Sequence, residues 1–187
     1  MISGWELPYY GVFGGKKYPI NCDYRDIIEI FSYFSDPDLP LYLQWRIALA
    51  LFYQQEIPPE HYEEAMTFLS DFISGGKTVS VPHQPKVLDW QQDSDLIVAD
   101  INRVAGREIR ELPFLHWWTF LSWFHAIGEG QLSTVIAIRN KLARGEKLEA
   151  WEKTYYRDNK QRVDLPKRRS QEELAHRREL ENMLEKR

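Results

Sequence analysis

The chain has 187 residues, of which 43% are hydrophobic and 14% aromatic, and this composition suits one domain with a sizeable core. A net charge of −4 and a pI near 5.8 argue against general affinity for nucleic acid. The single cysteine excludes an intramolecular disulfide and a cysteine-based metal cluster. The sequence lacks a signal-peptide pattern and an apolar stretch long enough to cross a bilayer, so we expect a soluble, intracellular protein.

The N-terminal region predicts a small β-hairpin followed by a helix. Two short β-prone runs, residues 9–13 and 18–20, flank Gly14-Gly15-Lys16-Lys17. Asp23 is a suitable N-cap for the helix that follows. The apolar face of that helix consists of Ile27, Ile28, Phe31 and Phe34.

The next segment predicts two further helices and a connection. Residues 39–55 indicate a mostly buried helix, and a second helix starts at Pro58-Pro59 and ends at Gly75-Gly76. Residues 77–86 contain two prolines and are typical of a flexible connection. The sequence therefore leaves open a division into two lobes that are joined near residues 75–88.

The second half of the chain predicts a series of helices. The first begins near Asp89, with apolar residues at helical spacing, and ends at Gly106. Pro113 opens an aromatic helix that ends at Gly128, and Ser133 caps the next one. The predicted inward stripe of the aromatic helix is Phe114, Trp117, Leu121 and Phe124. A shorter helical candidate covers residues 146–156.

The composition changes near the C-terminus. Residues 166–187 are dense in charged side chains, with a thin apolar stripe of Leu174, Leu180, Met183 and Leu184. We predict a mainly α fold, a multi-helix globular domain over residues 1–165 with a small N-terminal β-hairpin and a charged C-terminal helical tail over residues 166–187.

Several patterns suggest chemistry but fail on their context. Gly75-Gly76-Lys77-Thr78 resembles the end of a phosphate-binding loop, but Asp71 stands where the motif needs glycine, and a helix precedes it. The five histidines lack the paired spacing of a zinc protease. Ser122 lacks the glycine-flanked turn of a serine nucleophile.

An acidic cluster before and within the first helix of the second half is the last chemical candidate. It contains Asp89, Asp93, Asp95 and Asp100. Asp93 and Asp100 share a helical face, but about 10 Å of helical rise separates them, so they cannot share a proton directly. We expect these carboxylates to be solvated or to cap the helix. The chain is thus predicted not to be an enzyme and to hold no cofactor or metal.

Four elements of the sequence resemble one protein family. They are Tyr18-Pro-Ile-Asn-Cys-Asp-Tyr-Arg25, Trp90-Gln-Gln-Asp93 with Ile97, Leu115-His-Trp-Trp-Thr-Phe120 and Val135-Ile-Ala-Ile-Arg139. Over residues 18–139 the chain is similar to a protein family found in long-tailed siphophages and in prophages of Gram-positive bacteria. The genes of this family lie between the tail tube gene and the tape-measure gene. The chain departs from the family pattern at residues 104–110, where the family usually has Tyr-Gly-Ile-Asp-Leu.

By gene position, members of that family resemble tail assembly chaperones, which keep the long helical tape-measure protein soluble until tube subunits polymerise around it. The resemblance implies a non-enzymatic chaperone in the cytoplasm of an infected or lysogenic bacterial host. Its implied partners are the tape-measure protein and either the tail tube protein or an upstream tail chaperone. No nucleic acid or membrane partner is expected, and the oligomeric state stays open.

Trp118 and Trp123 are the candidate partner-binding residues, because Trp118 lies at the edge of the inward stripe of the aromatic helix and Trp123 projects well away from it. The alternative is that both rings belong to the core. Two other functions also stay open. The chain could be a structural tail component retained in the virion, or a small nucleic-acid-binding regulator that uses its mixed-charge tail.

Overall fold

The computed structural model describes residues 5–76 and 85–166. These residues contain eight α-helices and one two-stranded antiparallel sheet. The strands are β1 (Tyr10–Phe13) and β2 (Lys16–Pro19). The helices are α1 (Tyr24–Phe34), α2 (Leu41–Phe52), α3 (Tyr62–Ile73), α4 (Ser94–Ala105), α5 (Trp117–His125), α6 (Gln131–Ala143), α7 (Ala150–Asp158) and α8 (Lys160–Val163). Short 3₁₀ turns, Pro59–His61 and Ile109–Glu111, precede α3 and α5. The predicted mainly α fold with an N-terminal hairpin is confirmed.

The hairpin turns through two glycines. Gly14 and Gly15 have φ angles of +52° and +75°, a left-handed conformation that glycine adopts at little cost and that matches the twist of a two-residue hairpin. The side chains of Phe13 and Tyr18 are buried, and the Phe13 ring lies 6.0 Å from the ring of Phe68 on α3. A hairpin of this size is marginal alone, so its packing on α3 stabilises it.

A backbone pairing joins the start of α1 to the start of α5. Asp23 caps α1 as predicted, and its second carboxylate oxygen accepts a hydrogen bond from the amide of Leu115 at 2.8 Å. The Tyr24 amide donates to the Leu115 carbonyl, and the Trp117 amide donates to the Cys22 carbonyl. Two segments that are far apart in sequence therefore hold each other through their main chains.

The aromatic helix begins later than the sequence predicts. The prediction placed its start at Pro113, but α5 begins at Trp117, and His116 is its N-cap through a 3.0 Å hydrogen bond from the Trp118 amide to Nδ1. Residues before the cap stay extended because their backbone pairs with the start of α1. Phe114 is consequently 49% exposed, and its predicted place on the inward stripe is wrong.

The remaining predicted helices are present with shifted ends. The helix expected from Asp89 starts at Ser94, since the side chain of Asp89 accepts hydrogen bonds from two following amides and holds a turn there. It ends at Gly106 as predicted, where φ is +68°. The candidate over residues 146–156 is α7, and α8 follows it.

One cluster of buried side chains contains residues from both sides of residues 77–84. A chain of aromatic rings runs from half-buried to buried positions in this region. Phe31 stacks on Trp90 at 5.5 Å, Trp90 meets Trp117 at 5.8 Å, and Trp117 stacks on Phe120 at 5.4 Å. These rings connect α1, the turn before α4, and α5. Most of the predicted connection (77–86) and all but the first residue of the predicted tail (166–187) lie outside the described residues. None of the described helices combines the length and apolarity needed to cross a membrane.

Candidate partner-binding groove

The residues that carry the family resemblance form internal contacts, beginning with Asp93 and Arg139. Their side chains are 0% and 4% exposed and form two hydrogen bonds of 2.6 and 2.8 Å. The guanidinium also donates to the carbonyls of Val87, Arg162 and Val163 at 2.7 to 3.0 Å. All five guanidinium N–H groups are thereby satisfied.

This arrangement corrects the expectation that Asp93 is solvated or merely caps a helix. Its carboxylate is buried, and it accepts a third hydrogen bond from the Asp89 amide at 2.9 Å. A carboxylate this deeply buried is stabilised by the cation and the amide that donate to it. Asp93 and Arg139 therefore fix the turn before α4 to α6 and to the end of α8.

Asp100 is the second buried carboxylate of the acidic cluster, and it too is not solvated. It is 9% exposed, and it accepts a hydrogen bond from Arg103 at 3.1 Å and another from the Leu132 amide at 3.4 Å. The amide belongs to the first turn of α6, where a negative charge complements the helix dipole. A Cβ atom on Gly130 would lie 2.7 Å from this carboxylate, so glycine permits the close approach.

The Leu-His-Trp-Trp element joins α5 to the end of α3. The indole N–H groups of Trp117 and Trp118 donate to the carbonyls of Ile73 and Phe72 at 3.0 and 2.8 Å, and so satisfy carbonyls in the last turn of α3. His116 accepts the Trp118 amide at Nδ1, while its Nε2 lies 3.0 Å from a backbone carbonyl. Burial lowers the pKa of His116, which favours a neutral ring whose Nε2–H donates to that carbonyl.

The two tryptophans that the sequence selected as partner-binding candidates lie in different environments. Trp118 is 7% exposed and hydrogen-bonded inside the molecule, so the core alternative describes its place in this structure. Its ring is not part of an accessible surface. Trp123 is half-buried and packs against the edge of the core, and a partner-binding role for it stays a prediction.

Other chemical candidates offer little reactivity. Burial raises the pKa of the Cys22 thiol to about 11, which keeps it protonated and a poor nucleophile. Within residues 5–76 and 85–166, no group of three or more metal-ligating side chains is placed to hold a metal ion. Gly75-Gly76 follows a helix, as expected, and the Lys77-Thr78 that completes the loop-like pattern lies outside the described residues.

Helix α2 has apolar residues around its whole circumference although it lies at the surface. Ala48, Leu49 and Phe52 are buried, whereas Leu41 and Tyr42 on its first turn are 66% and 65% exposed. A surface helix normally shows one apolar stripe and one polar face. Leu41 and Tyr42, on the exposed first turn of α2, are therefore candidates for contact with another molecule.

A groove lies between α2 and α3, and Trp45, one turn after Tyr42, forms part of its wall. The groove comprises two adjoining cavities of about 390 and 610 Å³, which share Tyr62 in their walls. Its α2 wall is formed by Trp45, Arg46, Leu49 and Tyr53, and its α3 wall by Tyr62, Glu63, Met66 and Ser70. We call this the α2–α3 groove.

The walls of the α2–α3 groove are held by internal contacts. The Tyr53 hydroxyl donates to the carbonyl of Ala65 at 3.0 Å, and burial raises the pKa of this phenol, so it stays neutral. The Trp45 ring meets Phe34 of α1 edge-on at 4.9 Å. These contacts fix both walls before any partner arrives, which lowers the entropic cost of binding.

Sequence reasoning missed this groove because it assigned residues 39–55 to a mostly buried helix. The available signal was the near absence of a polar face in LYLQWRIALALF, which spans Leu41–Phe52. A second exposed apolar area lies on the N-terminal hairpin and the residues before it. It contains Leu7, Tyr9, Tyr10 and Val12, none of which lines the α2–α3 groove.

Comparison with known proteins agrees with the resemblance at the level of the family. A family model described as "Bacteriophage Gp15 protein" matches residues 6–165, which include every helix and strand described above. No curated protein and no solved structure matches the chain. Because the match covers most of its length, the chain belongs to the bacteriophage Gp15 protein family.

Proposed function

We propose that this phage protein is a tail assembly chaperone that binds amphipathic helices of the tape-measure protein and keeps that protein soluble during tail morphogenesis. The observation that carries the proposal is the α2–α3 groove, which is of a size suited to large apolar side chains and is formed in part by the helix whose first turn exposes Leu41 and Tyr42. The family resemblance and the implied gene position support the same reading. We propose that the chain acts in the cytoplasm of the bacterial host.

The proposed mechanism is non-covalent binding of a helix in a groove. An amphipathic partner helix would insert side chains spaced at i, i+3, i+4 and i+7 against Trp45, Tyr62 and Met66. Burial of that stripe would remove from water the surface through which tape-measure chains aggregate. The tape-measure helix would be released when tube subunits compete for its apolar stripe. Such competition requires that each groove binds its helix with only modest affinity.

Co-expression with the tape-measure protein, followed by affinity purification and a solubility assay, tests this proposal. The groove variant combines Met66→Gln in the α3 wall with Tyr42→Ser, an exposed residue one turn before Trp45 that does not itself line the groove. The matched control combines Leu142→Gln with Trp151→Ser on α6 and α7. The second pair is also partly exposed, at 39% and 58%. We expect the groove variant to lose co-purification at least tenfold while its melting temperature stays within about 2 °C of the parent value.

Three results would contradict the proposal. The tape-measure protein could remain insoluble beside the unaltered chain, or the groove and control variants could bind it equally well. Abundant chain in purified virions would instead favour a structural tail component. A Trp123→Ala variant in the same assay tests whether the half-buried ring on α5 contributes to binding.

A further inference from the structure

The charged residues of the α2–α3 groove are concentrated at one end of it. Glu56, Glu60 and Glu63 line its cavities where the chain enters α3, and all three are exposed. None of these carboxylates forms a salt bridge or side-chain hydrogen bond with the described residues, whereas Glu64 in the same turn is paired with His61 at 2.8 Å. The rim of the groove thus carries three negative charges that no described residue pairs.

The opposite end of the groove is uncharged. Beyond Met66, the α3 residues that line it are Thr67 and Ser70, and the Trp45 ring lies on the other wall. Arg46, which lines the same cavity as Glu56, is the only cation among the described lining residues. Counted with the three carboxylates, it gives the groove a net charge of −2. The groove therefore has an acidic end at the start of α3 and a neutral end near Ser70.

The helix dipole of α3 explains only part of this asymmetry. Acidic residues in a first turn stabilise the helix, which accounts for Glu63 and its neighbour Glu64. Glu56 lies before the 3₁₀ turn, where it gains little from that dipole, yet it lines the groove. A binding role for the acidic end is consistent with its position beside the apolar wall residues Tyr62 and Met66.

We infer that the α2–α3 groove selects a helix whose apolar stripe ends in a cluster of Lys or Arg residues, with that basic end lying over the start of α3. The inference rests on the proposed function and specifies the chemistry of the partner at the same site. Charge complementarity between the basic cluster and the acidic rim fixes the direction of the bound helix and accelerates its association. The apolar stripe supplies most of the affinity, because exposed ion pairs contribute little each.

The test uses two synthetic fluorescent helices of about 18 residues, which span about 27 Å. Both carry the same apolar stripe, and one ends in lysines where the other ends in glutamates. The protein variant combines Glu56→Gln, Glu60→Gln and Glu63→Gln. The control variant, Glu29→Gln with Glu111→Gln and Glu129→Gln, makes the same charge change at exposed positions outside the groove.

We expect the unaltered chain to bind the lysine-ended helix about tenfold more tightly than the glutamate-ended one at low salt. The groove triple variant should lose that preference, and the control triple variant should keep it to within about twofold. At about 1 M salt the preference should largely disappear, because screening acts over about 3 Å there. A photo-crosslinker at the lysine end should label residues 56–63.

Other outcomes overturn the inference and leave the proposed function separately testable. Equal binding of both helices, with tape-measure binding still dependent on Tyr42 and Met66, would refute charge selection but retain the groove. Crosslinking of the lysine end to the neutral end of the groove would refute the direction. A tenfold gain in affinity after removal of residues 167–187 would identify the tail of this chain as the occupant instead.

Discussion

Replacement of Arg139 by methionine should strongly destabilise the fold, because it leaves a buried carboxylate without its cation. Asp93 is 0% exposed and would keep only the amide of Asp89 as a hydrogen-bond donor. The change also removes donors from three backbone carbonyls. Breaking a buried ion pair by removal of one partner costs about 3–5 kcal/mol in unfolding free energy.

For a chain of this length, that loss corresponds to a decrease of about 6–20 °C in melting temperature. Thermal and urea unfolding followed by circular dichroism measure it. Arg157→Met is the matched control, because Arg157 is 73% exposed in its ion pair with Asp158 and should contribute less than about 0.5 kcal/mol. If Arg139→Met does not fold, Arg139→Lys retains the charge without the planar fork and provides a milder measurable loss.

The double variant Asp93→Asn with Arg139→Met tests the reasoning about charge. It removes the uncompensated carboxylate, so it should recover part of the stability that Arg139→Met loses. Recovery stays incomplete because the three carbonyls remain without their donors. A loss below about 1 kcal/mol for Arg139→Met, or no recovery in the double variant, would refute the assigned role of this ion pair.

Three further predictions concern buried groups. The pKa of His116 is lowered in the folded chain, so the unfolded chain binds the proton at a higher pH than the folded chain does. The free energy of unfolding should therefore fall as the pH drops below about 6.5. A His116→Asn variant should show a flatter dependence of unfolding free energy on pH between about pH 7.5 and 5.5. Gly130→Ala should lower the free energy of unfolding by about 1–3 kcal/mol, because the added Cβ would lie 2.7 Å from the Asp100 carboxylate. Gly128→Ala is the control, since its Cβ would meet no atom within 4 Å, and it should change the free energy of unfolding by less than about 0.5 kcal/mol. Urea unfolding measures both. Cys22 is 5% exposed, and burial raises the pKa of its thiol to about 11. It should therefore react with iodoacetamide at about pH 8 far more slowly in the native chain than in urea. Equal reaction rates, measured by mass spectrometry, would contradict its burial.

Local signals in the sequence were sufficient for much of the fold. The paired glycines at the hairpin turn, Asp23 as a helix cap and Gly106 as a helix end act through the backbone of their immediate neighbours. Their effects do not depend on distant parts of the chain. The fold class and the order of the elements could therefore be predicted without tertiary information.

Helix starts and surface positions could not be predicted in the same way. The aromatic helix starts at Trp117 because the residues before it pair with the segment that precedes α1, and helical periodicity cannot detect such a competitor. Asp93 looked like a solvated carboxylate because its cation, Arg139, is distant in sequence. Trp118 looked available for binding because its hydrogen-bond acceptor belongs to α3.

The sequence by itself determined the hairpin, the mainly helical class and the similarity to a phage protein family, because these depend on local backbone chemistry and on the four motif elements. Only the tertiary structure decided that motif residues such as Asp93, Trp118 and Arg139 hold the fold together. It also decided that Leu41 and Tyr42, on the first turn of α2, are exposed. The physical reason is that burial and pairing are properties of two surfaces that meet, and one helical pattern specifies only one of them.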